Sequence, residues 1–383
     1  MKINLCGTIF NNSGYSRHTR SLANALNEAG CDVRLDVQKI EQWERQVNDF
    51  ELQALSKPFD PESTTIFISQ PQFWPLVLAE KPKHFVGYLV WEGDKIPEYW
   101  CDYLIDDRID MILVPSTHTY NAVLKTIESF FSRTDNLTLI QISNNTDHLN
   151  KLIDKIKRVP EGYDPSSFYP DDDSHDTFTF VANKGWSQGL NDRGGIQYLL
   201  QAFAEEFNED EDVSLKIKLN ATYNIPGWDL AREIDSLNLP KDRPKIFTCN
   251  NNMTDKELRA FYNEGNVFVT TSMAEGFNLP ALEALGCGLP VLTTHYGGQA
   301  DFINEENGWL INEGEYDYYS KEISYEEVKW FKPSIKQIRK KLRYIYNNQD
   351  EVVNKHKKII TEPNLLTWLD SAKKIKELIA EFD

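Results

Sequence analysis

"AEGFNLPALEALGCGLPVLT", residues 274–293, decides how this chain is read. It holds two glutamates, Glu275 and Glu283, on either side of Pro280. On one unbroken helix that offset would set them about 80° apart, a poor arrangement for shared work. Proline, however, is favoured in the first turn of a helix and hostile inside one. The helix is therefore expected to start near Pro280, with Asn278 or Leu279 at its cap and Gly286 and Gly288 ending it. "VFVTT" (267–271) is then the preceding strand and "LPVLT" the following one. Glu275 falls in the loop, Glu283 about one turn into the helix, and both lie by the helix N-terminus.

That end of a helix offers unpaired N–H groups and the positive pole of the dipole, which together make a phosphate site. Gly276 lets the backbone approach a ligand closely. Carboxylates do not bind phosphate, but they accept hydrogen bonds from hydroxyls. The combination suits a diphosphate flanked by hydroxylated rings, which is a nucleotide sugar. The plainer alternative is that Glu283 complements the dipole and Glu275 is a solvated loop residue.

Bulk properties set the frame. A chain of 383 residues exceeds what one hydrophobic core usually supports, so two domains of roughly 150–200 residues are expected. It is 40% hydrophobic and 26% charged, with a mean hydropathy of −0.51. The nine tryptophans read mainly as core. A net charge of −18 repels polyanions on average and disfavours nucleic acid or an anionic membrane as partner, without excluding a local basic patch. Five scattered cysteines without C-x-x-C spacing suit reduced thiols in a cytoplasm and argue against a zinc site. The opening "MKINLCGTIFNN" is too short in its apolar run for a signal peptide and reads as a buried strand. No stretch approaches the ~20 apolar residues of a membrane span.

Along the chain, short apolar runs alternate with amphipathic segments, the pattern of parallel sheets covered on both faces. Strands are expected at Ile3–Gly7, Val33–Val37, Thr65–Ser69, Phe85–Val90 and Met111–Val114, with helices at Tyr15–Ala29, Pro97–Asp106 and Thr117–Phe131. "LTLIQIS" (137–143) looks like a strand and "DHLNKLIDKIK" (147–157) like a helix. "VPEGYDPSSFYPDDDSHD" (159–176) is rich in turn formers and reads as a linker. Strands resume at Phe178–Ala182, Leu215–Leu219, Lys245–Thr248, Val267–Thr270 and Pro290–Thr293. Their helices are Gly195–Phe207, Asp229–Ser236, Asp255–Glu264 and Pro280–Cys287, and the tail from Ser334 reads as helices only. The expected class is α/β, with two Rossmann-like doubly wound domains facing across a cleft. Their bounds are 1–160, a linker 161–176, 177–362, and a last helix within 363–383 that returns to the first domain. Ligands belong at the carboxyl ends of such strands.

"SMAEGFNLPALEALGCGLPVLTTHYGGQADFI" (272–303) resembles the signature of the retaining glycosyltransferases of the GT-B fold, family 4. "NNMTDKELRAFYNEGNVFVTTS" (251–272), "VPEGYDPSSFYP" (159–170) and "NNSGYSRHTRSLANALNEAGCDV" (11–33) are similar to other segments of that family, with Glu161 where the family has Asn. The resemblance covers most of the chain and is weakest over 41–63 and 136–158. It implies that Glu283 binds the donor's ribose hydroxyls and Glu275 the hydroxyls of the transferred sugar. The backbone at Gly276, Phe277, Asn278 and Leu279 would then lie close to sugar or phosphate. Basic residues on the diphosphate should follow the first strand of the second domain, in "FVANKGWSQGLNDRGGIQYLL" (180–200). Lys184 matches the first position; the second is Gly194, with Arg193 beside it, so Lys184 and Arg193 together are taken as the clamp. Gly14, in "NNSGYSRH" (11–18), matches the loop that admits diphosphate and acceptor, or is a plain strand-to-helix turn.

Transfer breaks the bond between the anomeric carbon and the diphosphate, so negative charge grows on the leaving group. Positioned cations and N–H donors stabilise that charge, and Lys184, Arg193 and the Pro280 helix end supply them without a metal or any other cofactor. "DDD" (171–173) and "DYLIDDR" (102–108) read as a solvated loop and a helix rather than metal ligands. On the acceptor side, "YLVWEGDKIPEYW" (88–100) offers Glu92, and Trp91 as a ring to stack on a sugar; core packing for Trp91 and capping for Glu92 compete with that. Ser116 and Thr117 read as helix caps. The expected activity is a retaining, metal-independent transfer from a nucleotide-diphosphate sugar to a hydroxyl of a carbohydrate, protein or other acceptor. The alternatives are a non-catalytic sugar-nucleotide-binding or scaffold subunit, and a hydrolase or epimerase acting on the nucleotide sugar alone.

Overall fold

The computed structural model describes residues 1–37, 45–132, 139–171, 177–186, 189–220, 229–319 and 328–382. The chain divides into two compact units: Met1–Gly162, Glu322–Val328 and Leu366–Asp383 form the first, Tyr163–Lys321 and Lys329–Leu365 the second.

The first unit carries strands β1 (Lys2–Gly7), β2 (Asp32–Val37), β3 (Thr64–Ile68), β4 (His84–Tyr88), β5 (Met111–Val114) and β6 (Ile156–Arg158). Its helices are α1 (Gly14–Glu28), α2 (Asp49–Ser56), α3 (Trp74–Leu78), α4 (Cys101–Leu104), α5 (Thr117–Phe131) and α6 (Leu139–Lys155). The strands form one sheet in the order β2-β1-β3-β4-β5-β6, and every pairing is parallel. Parallel sheets need cover on both faces, which is why β5 is buried along its whole length. Ser116 caps α5, its side chain accepting from the Thr119 N–H; Thr117 is the first helical residue. The strand expected over "LTLIQIS" is corrected: from Leu139 that segment is the first turns of α6. A short apolar run has no period long enough to separate strand from buried helix. The helix expected over Pro97–Asp106 shrinks to a 3₁₀ turn and the four residues of α4.

The second unit repeats the plan with β7 (Phe178–Lys184), β8 (Val213–Leu219), β9 (Ile246–Cys249), β10 (Val267–Thr270), β11 (Val291–Thr294) and β12 (Gly308–Ile311). Its helices are α7 (Ile196–Glu206), α8 (Leu230–Ser236), α9 (Asp255–Asn263), α10 (Leu279–Gly286), α11 (Ile335–Asn347) and α12 (Gln349–Thr361). The sheet order is β12-β11-β10-β7-β8-β9, all parallel. The chain therefore winds one way from β7 through β8 and β9, and the other way from β10 through β11 and β12. That reversal is the topological switch point, where the loops leaving two adjacent strands part and open a crevice. Sequence reading missed β6, β12 and an antiparallel hairpin, β13 (Gly314–Tyr319) with β14 (Lys329–Pro333).

The last helix, α13 (Trp368–Ile379), belongs to the first unit. Thr367 and Asp370 form a reciprocal capping box at its start, a device that satisfies two orphan N–H groups. Lys376 donates to the Ala29 carbonyl at the end of α1 (2.7 Å). Glu161 is buried, 3.1 Å from Nδ1 of the buried His18 on α1. Among the described residues no helix is long and apolar enough to cross a membrane.

A buried charge cluster at the switch point of the second unit

Lys184 is the last residue of β7, and Glu275 follows β10, the strand beside it. Two loops hold them together. In the loop after β7, Gly195 has φ +73, and a Cβ there would fall 2.0 Å from the Thr271 carbonyl oxygen. Only glycine both accepts that backbone and allows the approach. The two loops are then joined by hydrogen bonds: Met273 N–H to the Arg193 carbonyl (2.9 Å), Thr271 hydroxyl to the Gly195 carbonyl (2.8 Å), and Arg193 Nη1 to the Ala274 carbonyl (2.8 Å).

The result is one carboxylate between two cations. Lys184 Nζ pairs with Glu275 Oε1, and Arg193 Nη1 lies 3.6 Å from Oε2. Glu275 is 8% exposed. Burial pushes its carboxyl up, but Lys184 and Arg193 more than offset this and hold it below the ordinary glutamate value. Lys184 also sits below its ordinary value: burial is the main cause and Arg193 adds to it, against the pull of Glu275. The buried Asp192 adds a further pull on Lys184, so the corner holds two cations and a second carboxylate besides Glu275.

Gly194 has no room for the side chain the family pattern puts there. A Cβ would meet the Gly185 carbonyl oxygen at 2.6 Å and Lys184 Cγ at 2.8 Å. Arg193, one residue earlier, brings the second cation instead.

The turn into α10 completes the corner. Asn278 precedes the helix with φ 85 and ψ 62, and its side chain makes no capping bond, although Asn is among the best N-cap residues. Its Nδ2 donates back to Thr270 Oγ1 (3.3 Å), and its Oδ1 is buried without a protein partner. Leu279 is the first helical residue and Pro280 the next; Ala281 and Leu282 N–H groups return to the Asn278 carbonyl. The helix ends in a Schellman motif, Leu289 N–H to the Ala284 carbonyl and Gly288 N–H to that of Leu285, with Gly288 at φ +82. Gly298 N–H donates to the Glu275 carbonyl (2.8 Å), and a Cβ on Gly298 would fall 2.1 Å from the Gly276 oxygen. The Gly297–Gly298 pair, which sequence reading did not single out, so lies flush on Glu275–Phe277. The Phe277 ring is core, 5.1 Å from that of Phe302, which leaves its backbone as the part near the corner.

Glu283, on α10, is 2% exposed; its Oε2 accepts from the Tyr262 hydroxyl (3.0 Å). The expected residues Lys184, Arg193, Glu275, Gly276, Phe277, Asn278, Leu279 and Glu283 therefore all lie within the second unit, at or beside its switch point.

Gly14, Trp91 and Glu92 lie in the first unit. Gly14 opens α1, and a Cβ on it would meet nothing within 4 Å. The stacking role expected for Trp91 is corrected: the ring is 2% exposed, packs edge-on against Trp100 (4.8 Å) and donates to the Lys95 carbonyl (2.7 Å). A large ring with one polar atom is most stable where that atom finds a partner inside. The Glu92 carbonyl faces His118 Nε2 (2.8 Å). Burial holds His118 below its ordinary value, against the pull of Glu92 and Asp94, which favours a neutral ring. Among the described residues no cluster of three or more His, Cys, Asp or Glu can hold a metal ion. Asp171 pairs with Arg259 (3.5 Å); Asp172 and Asp173 lie outside the described residues.

Residues 185–326 match the family model described as Glycosyl transferases group 1. A probable sucrose-phosphate synthase from Thermosipho melanesiensis is 25% identical over 167 residues, 42% of this chain and 38% of that relative. The match thus spans well under half of the relative's length. Two solved structures cover the whole chain. Sucrose-phosphate synthase from Thermosynechococcus elongatus has a TM-score of 0.63 at 16% identity, over 100% of this chain and 98% of that one. Alr3699/HepE from Anabaena, solved with UDP-glucose, has a TM-score of 0.67 at 12% identity, over 100% of both chains. At such identities the likeness concerns the fold. The chain therefore has the fold of the GT-B glycosyltransferases, and residues 185–326 match the group 1 glycosyl transferase model.

Proposed function

We propose that the protein moves a sugar from a nucleotide-diphosphate sugar to a hydroxyl acceptor, with retention of anomeric configuration and without a metal. The observation that carries this reading is the buried pairing of Lys184 and Arg193 with Glu275, beside the uncapped start of α10. On donor entry the diphosphate takes over the two cations and the first turn of α10. Glu275 is released to accept hydrogen bonds from the sugar's hydroxyls, and Glu283 holds the ribose. Backbone at Gly276, Phe277, Asn278 and Leu279 lines the sugar and phosphate.

As the bond from the anomeric carbon to the leaving oxygen breaks, its electron pair passes to the diphosphate. Lys184 and Arg193 face that growing charge from fixed positions, which is the most effective form of stabilisation. The acceptor oxygen attacks the anomeric carbon from the leaving-group side, and its proton passes to the departing phosphate oxygen. Gly14 is assigned to the loop that admits the diphosphate and the acceptor, and Glu92 to the acceptor side. The acceptor is a carbohydrate, a protein or another hydroxyl compound, and five free cysteines support a cytoplasmic setting.

The test is nucleotide release from a panel of nucleotide sugars, with and without candidate acceptors and chelator, and NMR of the product's anomeric signal. Acceptor-dependent release, insensitive to chelator and with retained configuration, is expected. Release without any acceptor would point to a hydrolase or epimerase, and binding without turnover to a scaffold subunit.

A further inference from the structure

The ring of Tyr262, on α9, is fully buried between Phe268 (5.7 Å) and Phe168 (6.1 Å). Its hydroxyl sits between two polar side chains. It donates to Glu283 Oε2 (3.0 Å) and accepts from Asn183 Nδ2 (2.8 Å). The directions are fixed by chemistry: a carboxylate only accepts, so the phenol must donate to it, and the phenol's lone pair then needs a donor. That sets which end of the Asn183 amide faces Tyr262.

Asn183 and Lys184 are the last two residues of β7. Neighbours on a strand point to opposite faces. One strand end therefore steers both carboxylates, Lys184 pairing with Glu275 and Asn183 reaching Glu283 through Tyr262. A glutamate has three rotatable side-chain bonds. Binding a ribose diol requires both its oxygens to be aimed, and freezing those bonds beforehand removes an ordering cost from the binding step.

We propose that Tyr262 is a positioning residue: with Asn183 it locks the Glu283 carboxylate in the orientation that reads the ribose hydroxyls of the donor. The proposal rests on the donor reading given above for Glu283. Tyr262 touches no ligand itself and acts on selectivity for a ribose over a deoxygenated ring.

The experiment measures dissociation constants by calorimetry for UDP, GDP and ADP, and then for the 2′,3′-dideoxy counterpart of whichever binds best. The full chain is used as wild type, E283Q, Y262F and N183A. The wild type should favour the ribonucleotide about thirtyfold or more, and E283Q should abolish most of that preference. Y262F should reduce the preference about tenfold and N183A about threefold, with dideoxy binding little changed in both. A general loosening of the fold would weaken both ligands alike and leave their ratio intact. If E283Q loses the preference while Y262F and N183A keep the wild-type ratio, the positioning role is overturned. If the wild type shows no preference, or E283Q retains it, the Glu283 ribose reading itself fails and the positioning role with it. N183A, at the half-buried strand end, keeps the question answerable should Y262F not fold.

Discussion

Replacing Lys184 by methionine and Glu275 by glutamine, singly and together, tests the charge cluster quantitatively. The two side chains are 13% and 10% exposed, so solvent screens their pairing only weakly. Removing one partner of a buried pair costs about 3–5 kcal/mol when the other charge is stranded. In K184M, Glu275 keeps Arg193 at 3.6 Å, which lowers the expected cost to about 2–3 kcal/mol. E275Q leaves Lys184 and Arg193 with only the weaker pull of Asp192 on Lys184 and should cost about as much. In the double variant Arg193 alone remains beside two neutral side chains, so its destabilisation should fall short of the sum of the singles by about 1.5–3 kcal/mol, the coupling of a contacting buried pair. Thermal unfolding reads this directly, at roughly 2–4 °C per kcal/mol for a domain of this size. The singles should lose about 4–12 °C each and the double clearly less than their sum. For activity, K184M should lower kcat by about 10²–10³ with a smaller rise in KM, as expected for a donor to developing charge. Additive melting-point losses, or a KM effect without a kcat effect, would refute the assignment.

Three further outcomes are expected. G194A places a methyl 2.6 Å from the Gly185 carbonyl oxygen and 2.8 Å from Lys184 Cγ. Overpacking of this kind costs about 1–3 kcal/mol, so calorimetry should show a lower melting point together with weakened nucleoside diphosphate binding. Lys184 is held below the ordinary lysine value of 10.5, chiefly by burial. Its ammonium attracts the diphosphate, so the dissociation constant should be flat at lower pH and rise as pH climbs through that depressed value; K184R, which stays charged, should flatten the profile. Arg343 of α11 bonds Glu211 and Glu206, with its guanidinium 4.4 Å from the Phe207 ring centre. Loss of this partly exposed network and its stacking in R343A should cost about 1–3 kcal/mol, read as a lower melting point with donor affinity preserved.

Much of the fold was legible because its signals are local. Continuous apolar runs mark strands covered on both faces, as at Met111–Val114 and Val267–Thr270. Pro280 and the glycines at 286 and 288 fix both ends of α10. The start of α6 was misread because seven residues of mixed polarity are too few to separate a helical period from a strand. Glu275, Glu283 and Lys184 could be found because motif and loop placement name them. Tyr262 could not, since on α9 it follows Leu258 at a helical core spacing, and only the fold shows its hydroxyl meeting Glu283. Trp91 stayed open for the converse reason: a tryptophan beside a glutamate at a strand end can be a sugar platform or core, and only the buried ring decides for core. Gly194 at the second basic position likewise reads as a departure from the family pattern in sequence, and as a steric requirement once the Gly185 carbonyl is in view.

The central claim is that a diphosphate lodges between Lys184, Arg193 and the first turn of α10. A crystal structure with a bound nucleotide sugar tests it most directly. The account predicts phosphate oxygens within hydrogen-bonding distance of both cations, the Glu275 carboxylate turned from Lys184 toward the sugar, and the ribose on Glu283. A nucleotide bound elsewhere, with the Lys184–Glu275 pair still closed, would contradict it.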